Sequence, residues 1–219
     1  LSKSRYIRGL QCARALYLDS FRPEVGRVSA ETRRKFAAGR DFEAEYKALF
    51  PNGIDLSQAC KMNLRWMLQH TAELLNQEGE VDLFEAAFQH DGVLVLADVV
   101  HKAADGSLTV HEVKNTSRVT PVIRHDVYLQ HYVIAGDRCC EVEISVVHHD
   151  EEGRFVVEDL TAEALAHSQF VSEQVARQKE VLAGFEPEVA MGEQCANPYA
   201  CPYQQYCRGE VAAQLFFHV

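Results

Sequence analysis

With 219 residues, 47% of them hydrophobic and 25% charged, the chain is long enough for one large domain or two small ones around a substantial core. No apolar run approaches the roughly 20 residues needed to cross a bilayer, and no signal-peptide pattern opens the sequence, so the expected location is cytoplasmic with no membrane contact. The net charge of −10 argues against a nucleic-acid partner for the chain as a whole, but ten Lys and Arg against three acids give residues 1–40 a charge of +7, set against −17 on the rest.

Residues 2–18 (SKSRYIRGLQCARALYL) are predicted helical, with Ser2 or Ser4 as cap, Tyr6, Leu10 and Leu16 among the apolar contacts, and Cys12 inside the helix. Pro23 and Gly26 end it. A second helix over about 30–50 stops at Pro51-Asn52-Gly53. Its residues Phe36, Gly39, Glu43, Tyr46 and Phe50, three and four apart, share one face, so Glu43 is a carboxylate turned towards the expected core. A third helix over about 56–77 carries Cys60, read as a small buried hydrophobe.

Three strands then form a meander over 81–88, 93–102 and 107–114, with turn signals at His90-Asp91-Gly92 and Asp105-Gly106. Thr120-Pro121 starts a helix to about Ala135 that ends at Gly136. Residues 140–149 read as a fourth strand and RFVVEDL as a short fifth. A long helix from Thr161 to about Leu182 follows, with Leu165, Val171, Val175 and Leu182 as its stripe. This order gives an α/β fold with a mixed central sheet, a β-meander and flanking helices.

The second hairpin, VLVLADVVHKAADGSLTVHEVKN (93–115), concentrates the chemistry. Folded about Asp105, positions summing to 210 oppose one another, which sets Asp98 against Glu112 on one face, joined there by Lys114. Two acids and an ammonium on a mostly apolar strand pair are costly unless compensated. The compensation is either a buried ion-pair network or a hard divalent ion, Mg²⁺ or Mn²⁺, bound by Asp98 and Glu112. In the second case the Val113 carbonyl and Glu43 are further oxygen donors. Lys114 would then orient or deprotonate a water, or stabilise charge developing on phosphorus.

Of the seven cysteines, three lie in a proline- and aromatic-rich tail as Cys195-x5-Cys201-x5-Cys207. Three thiolates fall one short of the four that a tetrahedral metal or a cubane cluster takes. Cys139-Cys140 compete for the fourth place but, adjacent at a strand start, read as partly buried thiols; Cys12, solitary and at the other end of the chain, is the expected fourth. Such a set would clamp the termini together, with zinc and an iron–sulfur cluster both open at this point.

In this combination the chain resembles the PD-(D/E)XK nuclease superfamily, in the RecB-like branch that carries an iron–sulfur cluster and includes CRISPR-adaptation exonucleases and AddAB-type nuclease domains. The resemblance rests on GRDFE (39–43), LAD (96–98), HEVKN (111–115) and DVYLQHY (126–132), and covers nearly the whole length. Glu43 stands where the family often has a histidine. The opening LSKSRYIRGLQCARALYLDSFRPE and the closing PYACPYQQYC look closer still to uncharacterised bacterial proteins that join such a module to a further C-terminal domain.

The resemblance implies a restriction-endonuclease-like core in a single domain, with residues 30–183 catalytic and 1–28 and 186–209 forming a cluster-binding staple. It implies a Mg²⁺- or Mn²⁺-dependent deoxyribonuclease, an exonuclease acting on DNA that is single-stranded or has free ends. Asp98 and Glu112 would bind metal, Lys114 would assist the water, and Gln130 with Tyr128 or Tyr132 would position the site. Cys12, Cys195, Cys201 and Cys207 would hold a 4Fe-4S cluster, and a helicase or CRISPR-type protein would be the partner. Lys3, Arg5, Arg8, Arg14, Arg33 and Arg34 are expected to flank the DNA path. The alternative is a nuclease fold that binds nucleic acid without turnover.

Overall fold

The computed structural model describes residues 1–27 and 40–210. In chain order its elements are α1 (Lys3–Gln11), α2 (Ala13–Phe21), a 3-10 turn (Pro23–Val25), helical residues 40–47 (α3), β1 (Ile54–Asp55), α4 (Leu56–Ala59), α5 (Leu64–Leu75), β2 (Val81–His90), β3 (Val93–Lys102) and β4 (Leu108–Val113). After these come α6 (Pro121–Arg138), β5 (Val142–His149), β6 (Phe155–Asp159), α7 (Thr161–Ala166), α8 (Ser168–Ala183), a 3-10 turn (Glu193–Cys195) and α9 (Gln204–Cys207). The described residues divide into two compact units, 1–3 with 40–173 and 4–27 with 174–210.

The first unit is built on one mixed sheet of six strands in the order β1-β2-β3-β4-β5-β6. Strands β2, β3 and β4 form the expected antiparallel meander. Asp91 and Gly92 both adopt positive φ, 46° and 66°, in the two-residue turn that matches the twist of a hairpin. At the next turn the Asp105 carboxylate accepts both the N–H and the hydroxyl of Ser107. Strand β5 lies parallel to β4, which needs a crossover, and α6 supplies it. The Thr120 hydroxyl caps α6 by accepting the Ile123 N–H. Phe42 and Tyr46 of α3 pack with Phe84, Val99, Val113 and Val147 of four strands. The middle of α6, from Asp126 to Ile134, is buried at every position except Tyr132.

Several predicted boundaries change. The helix expected over 2–18 is two helices, and Cys12 is not inside either: it is extended (φ −164°, ψ 123°) at the break. The helix expected over 56–77 is interrupted at Lys61 and Met62, both at positive φ, and restarts where the Asn63 side chain accepts the Trp66 N–H. Cys60 is buried as expected. The long helix from Thr161 breaks at His167, which leaves Leu165 60% exposed and outside the stripe, whereas Val171 and Val175 are fully buried. Gly136 does not end α6. A Cβ there would meet the His90 ring at 2.4 Å, so the glycine serves close packing, and the helix closes instead on Cys139 in the left-handed region. Phe36 and Gly39 of the predicted helix face lie outside the described residues.

In the second unit Ala15, Leu18, Val25 and Tyr203 form a small core, with Cys12, Cys201 and Tyr206 packed against it. The Gln11 amide donates to the carbonyls of Gln194 (2.8 Å) and Tyr199 (2.7 Å), and the Tyr203 hydroxyl donates to Asp19 at 3.1 Å. Arg14 pairs with Glu186 at 2.7 Å, and the Arg22 guanidinium lies over the Tyr206 ring. Among the described residues no helix is long and apolar enough to cross a membrane.

Candidate functional site

The register places carboxylates in a row across three adjacent strands. Val99 pairs with His111, so the predicted alignment of Asp98 with Glu112 at the next level follows. On its other side β3 pairs with β2 through Phe84 with Val99 and Ala86 with Ala97, which aligns Asp98 with Glu85. Like charges directly opposite are destabilising, and both ladders are disturbed at this level. Glu85 adopts φ +54°, a strained conformation for a non-glycine residue. Asp98 turns its carboxylate onto the Val113 N–H at 2.8 Å.

Around Asp98 lie two groups of charges. Glu43 from α3, Glu85 and Asp98 bring one oxygen each within 4.8 Å of the others. Lys47, one turn after Glu43, bonds Glu43 at 2.5 Å and Glu85 at 2.8 Å. The second group centres on Glu112, which is fully buried. Its oxygens accept from Lys3 (2.9 and 3.1 Å), from Lys114 and from the Gln130 amide (2.7 Å). Asp126, one turn before Gln130 on α6, lies 3.2 Å from Lys114 and 4.0 Å from Lys3.

Burial and the Glu112 charge push the Asp98 carboxyl up to about 8, against the opposing pull of Lys3 and Lys114. Burial alone would also raise Glu112, but Lys114 and Lys3 overcome it and hold that carboxylate well below the usual range. Burial raises Asp126 and Glu85. Lys114 is held charged, since Glu112, Asp126 and Asp98 outweigh the cost of its burial.

Glu43, Glu85, Asp98, Glu112 and Asp126 give five negative charges when ionised, and Lys3, Lys47 and Lys114 give three positive ones. The deficit of two arises only once Asp98, whose carboxyl is pushed up to about 8, has lost its proton. On α6, Asp126 Oδ1 and Gln130 Oε1 are buried acceptors without a donor among the described residues. An all-oxygen donor set with unfilled acceptors fits Mg²⁺ or Mn²⁺.

In the second unit Cys12, Cys195, Cys201 and Cys207 line one cavity, together with Arg14, Met191 and Tyr203. None is in a disulfide. Burial raises the Cys201 and Cys207 thiols, and the neighbouring sulfurs of Cys12 and Cys195 add to the shift. Among the described residues, however, the three or more His, Cys, Asp or Glu donors that come within 4.8 Å of one another are Glu43, Glu85 and Asp98, so lining one cavity does not by itself set these four sulfurs at the spacing of ligands to one ion.

No family model matches the sequence, and no curated protein matches it. Among solved structures the chain is similar to the crystal structure of SSO0001, with a TM-score of 0.47 and 12% identity over 97% of this chain and 87% of that one.

The expected residues thus fall into distinct surroundings. Glu43 and Asp98 come together with Glu85. Glu112 is bound by two ammonium groups and an amide, and Val113 contributes its N–H to Asp98. The Tyr128 hydroxyl bonds Glu163 at 2.7 Å, and the Tyr132 hydroxyl bonds Asp91 at 3.2 Å, so both are engaged away from Glu112. The basic segment is largely paired within the protein: Lys3 on Glu112, Arg5 with Asp19, Arg14 with Glu186. Arg33 and Arg34 lie outside the described residues.

Proposed function

We propose that the chain is a metal-dependent deoxyribonuclease of the PD-(D/E)XK type, acting on single-stranded DNA or on free DNA ends. The observation that supports this reading is the convergence of the Glu43, Glu85 and Asp98 oxygens within 4.8 Å of one another, beside the strand that carries Glu112 and Lys114. Glu43, Glu85, Asp98 and Glu112 would hold Mg²⁺ or Mn²⁺. The ion would supply Lewis acidity and a water of lowered pKa.

Glu112 and Asp126 favour the charged form of Lys114, so its part would be to stabilise negative charge developing on the phosphate. The Lys114 side chain is 31% exposed, whereas Glu112 is sealed. Gln130 fixes Glu112 from within the fold through its 2.7 Å bond. Cys12, Cys195, Cys201 and Cys207 would hold a 4Fe-4S cluster that orders the second unit, with zinc as the chemical alternative.

The test is digestion of end-labelled single-stranded DNA with Mn²⁺ or Mg²⁺. Loss of digestion on Lys114→Ala, with the fold intact by circular dichroism, is the expected result. Equal digestion by parent and variant overturns the assignment. Metal-independent binding of DNA without cleavage by the parent would replace it with a binding module.

A further inference from the structure

Two ammonium groups share the Glu112 carboxylate, and they arrive by different routes. Lys114 is two residues along the same strand. Lys3 comes from 109 residues away, and its Nζ reaches both oxygens, at 2.9 and 3.1 Å. With Gln130 and Lys114 also donating, the roughly four acceptor sites of a carboxylate are taken. A divalent ion can therefore use Glu112 only if one of these donors withdraws.

The surroundings say which one. Gln130 is fully buried on α6 and has no freedom to leave. Lys114 is held a second time by Asp126 at 3.2 Å. Lys3 is 4.0 Å from the same Asp126, with a side chain 24% exposed on the first turn of α1. Asp126 Oδ1 is buried and has no partner among the described residues, so it offers a displaced ammonium an acceptor that is free.

We propose that Lys3 is a positioning residue of the metal site: it occupies Glu112 as an internal cation and moves onto Asp126 when a divalent ion takes an oxygen of Glu112. The inference rests on the metal-dependent reading above. Its cost to the site is competition, because the entering ion must displace a bound ammonium. Its benefit is a sealed carboxylate that stays ionised and oriented while no ion is present.

The experiment measures Mn²⁺ binding by titration calorimetry on the full chain, for the parent, Lys3→Met and Lys3→Arg, with circular dichroism as the check on folding. Lys3→Met should bind Mn²⁺ at least about tenfold more tightly, a floor well below the full interaction with a unit charge a few ångströms away at intermediate dielectric. Its metal-free form should melt lower than the parent, and saturating Mn²⁺ should remove most of that difference. Lys3→Arg should keep affinity near the parental value. If Lys3→Met does not fold, Lys3→Gln gives the same readout with a polar side chain. Equal or weaker Mn²⁺ binding by a folded, uncharged variant overturns the proposal. Absence of Mn²⁺ binding in every protein overturns it together with the metal reading. Tighter binding by the variant with no DNA cleavage by the parent upholds the role of Lys3 and removes the nuclease assignment alone.

Discussion

The Asp98 carboxylate accepts the backbone N–H of Val113 at 2.8 Å, one residue from Glu112 and one from Lys114. That single bond fixes the acid of one hairpin arm against the E-x-K segment of the other, at the level where ordinary strand pairing gives way. An amide oxygen can replace the carboxylate in this bond but brings no charge. Asp98→Asn should therefore fold near neutral pH with a stability within about 1 kcal/mol of the parent, since burial and Glu112 already keep the Asp98 carboxyl protonated there and the amide replaces one neutral acceptor by another. Its Mn²⁺ affinity should fall on the order of a hundredfold. Urea denaturation and metal titration on the same preparation separate the two effects, and unchanged Mn²⁺ affinity would take Asp98 out of the ligand set.

Metal binding should be pH-dependent in a defined direction. The Asp98 carboxyl is pushed up to about 8 by burial and by Glu112, against roughly 3.9 in an unfolded chain. Between those values the native state keeps a proton that the unfolded state has lost. The contribution of Asp98 to the metal-free fold is therefore fully present below about 4 and is lost as pH rises through about 8. An entering ion must expel that proton. Affinity should rise by up to about tenfold per pH unit from 6 towards 8 and then level off, with close to one proton released per ion. Calorimetry in buffers of different ionisation enthalpy reads the proton directly, and a flat affinity profile would contradict the role given to Asp98.

The site was legible in the sequence as far as local geometry reaches. Folding the second hairpin about Asp105 set Asp98 against Glu112 because a two-residue period leaves no freedom once the turn is known. The same operation about Asp91-Gly92 aligns Glu85 with Asp98, so the third carboxylate of that row was available from the same arithmetic. Asp126 was also within reach, four residues before Gln130 and hence on its helix face. Lys3 was not: its partner is 109 residues away, and nothing near Ser2 or Ser4 announces it. The breaks at Cys12 and at Lys61-Met62 were equally hidden, since neither has a Pro or Gly to mark it. Cys12 leaves helical geometry where its sulfur joins the cavity of the tail cysteines, a tertiary cause that local propensity does not contain.

Gln130 should matter to stability less than a buried bond to a charge would suggest. Its amide donates to Glu112 at 2.7 Å, which by itself is worth about 1.5–3 kcal/mol. Its own Oε1, however, is buried without a partner, and an apolar replacement relieves that cost. Gln130→Leu is therefore expected to lose only about 1–2 kcal/mol in urea denaturation. Gln130→Glu should lose more, because it adds a buried carboxylate beside Glu112 and Asp126. Equal losses for the two variants would show that the amide is not directed at Glu112 in solution.

The cysteine cavity makes a prediction that is independent of nuclease activity. Cys12 and Cys195 are 183 positions apart in the chain, and both line the cavity with Cys201 and Cys207. A metal group held by all four closes a very long loop, so its loss should be felt through the whole second unit. Protein prepared anaerobically should be brown and contain iron. Cys12→Ser and Cys207→Ser should lose most of that iron and of the visible absorption, and both should be cut faster by protease in the tail. Cys139→Ser changes an exposed thiol in the other unit and should keep the iron of the parent. Colourless parental protein rich in zinc would assign the cavity to a tetrahedral zinc site, and full iron retention by Cys12→Ser would exclude that cysteine as a ligand.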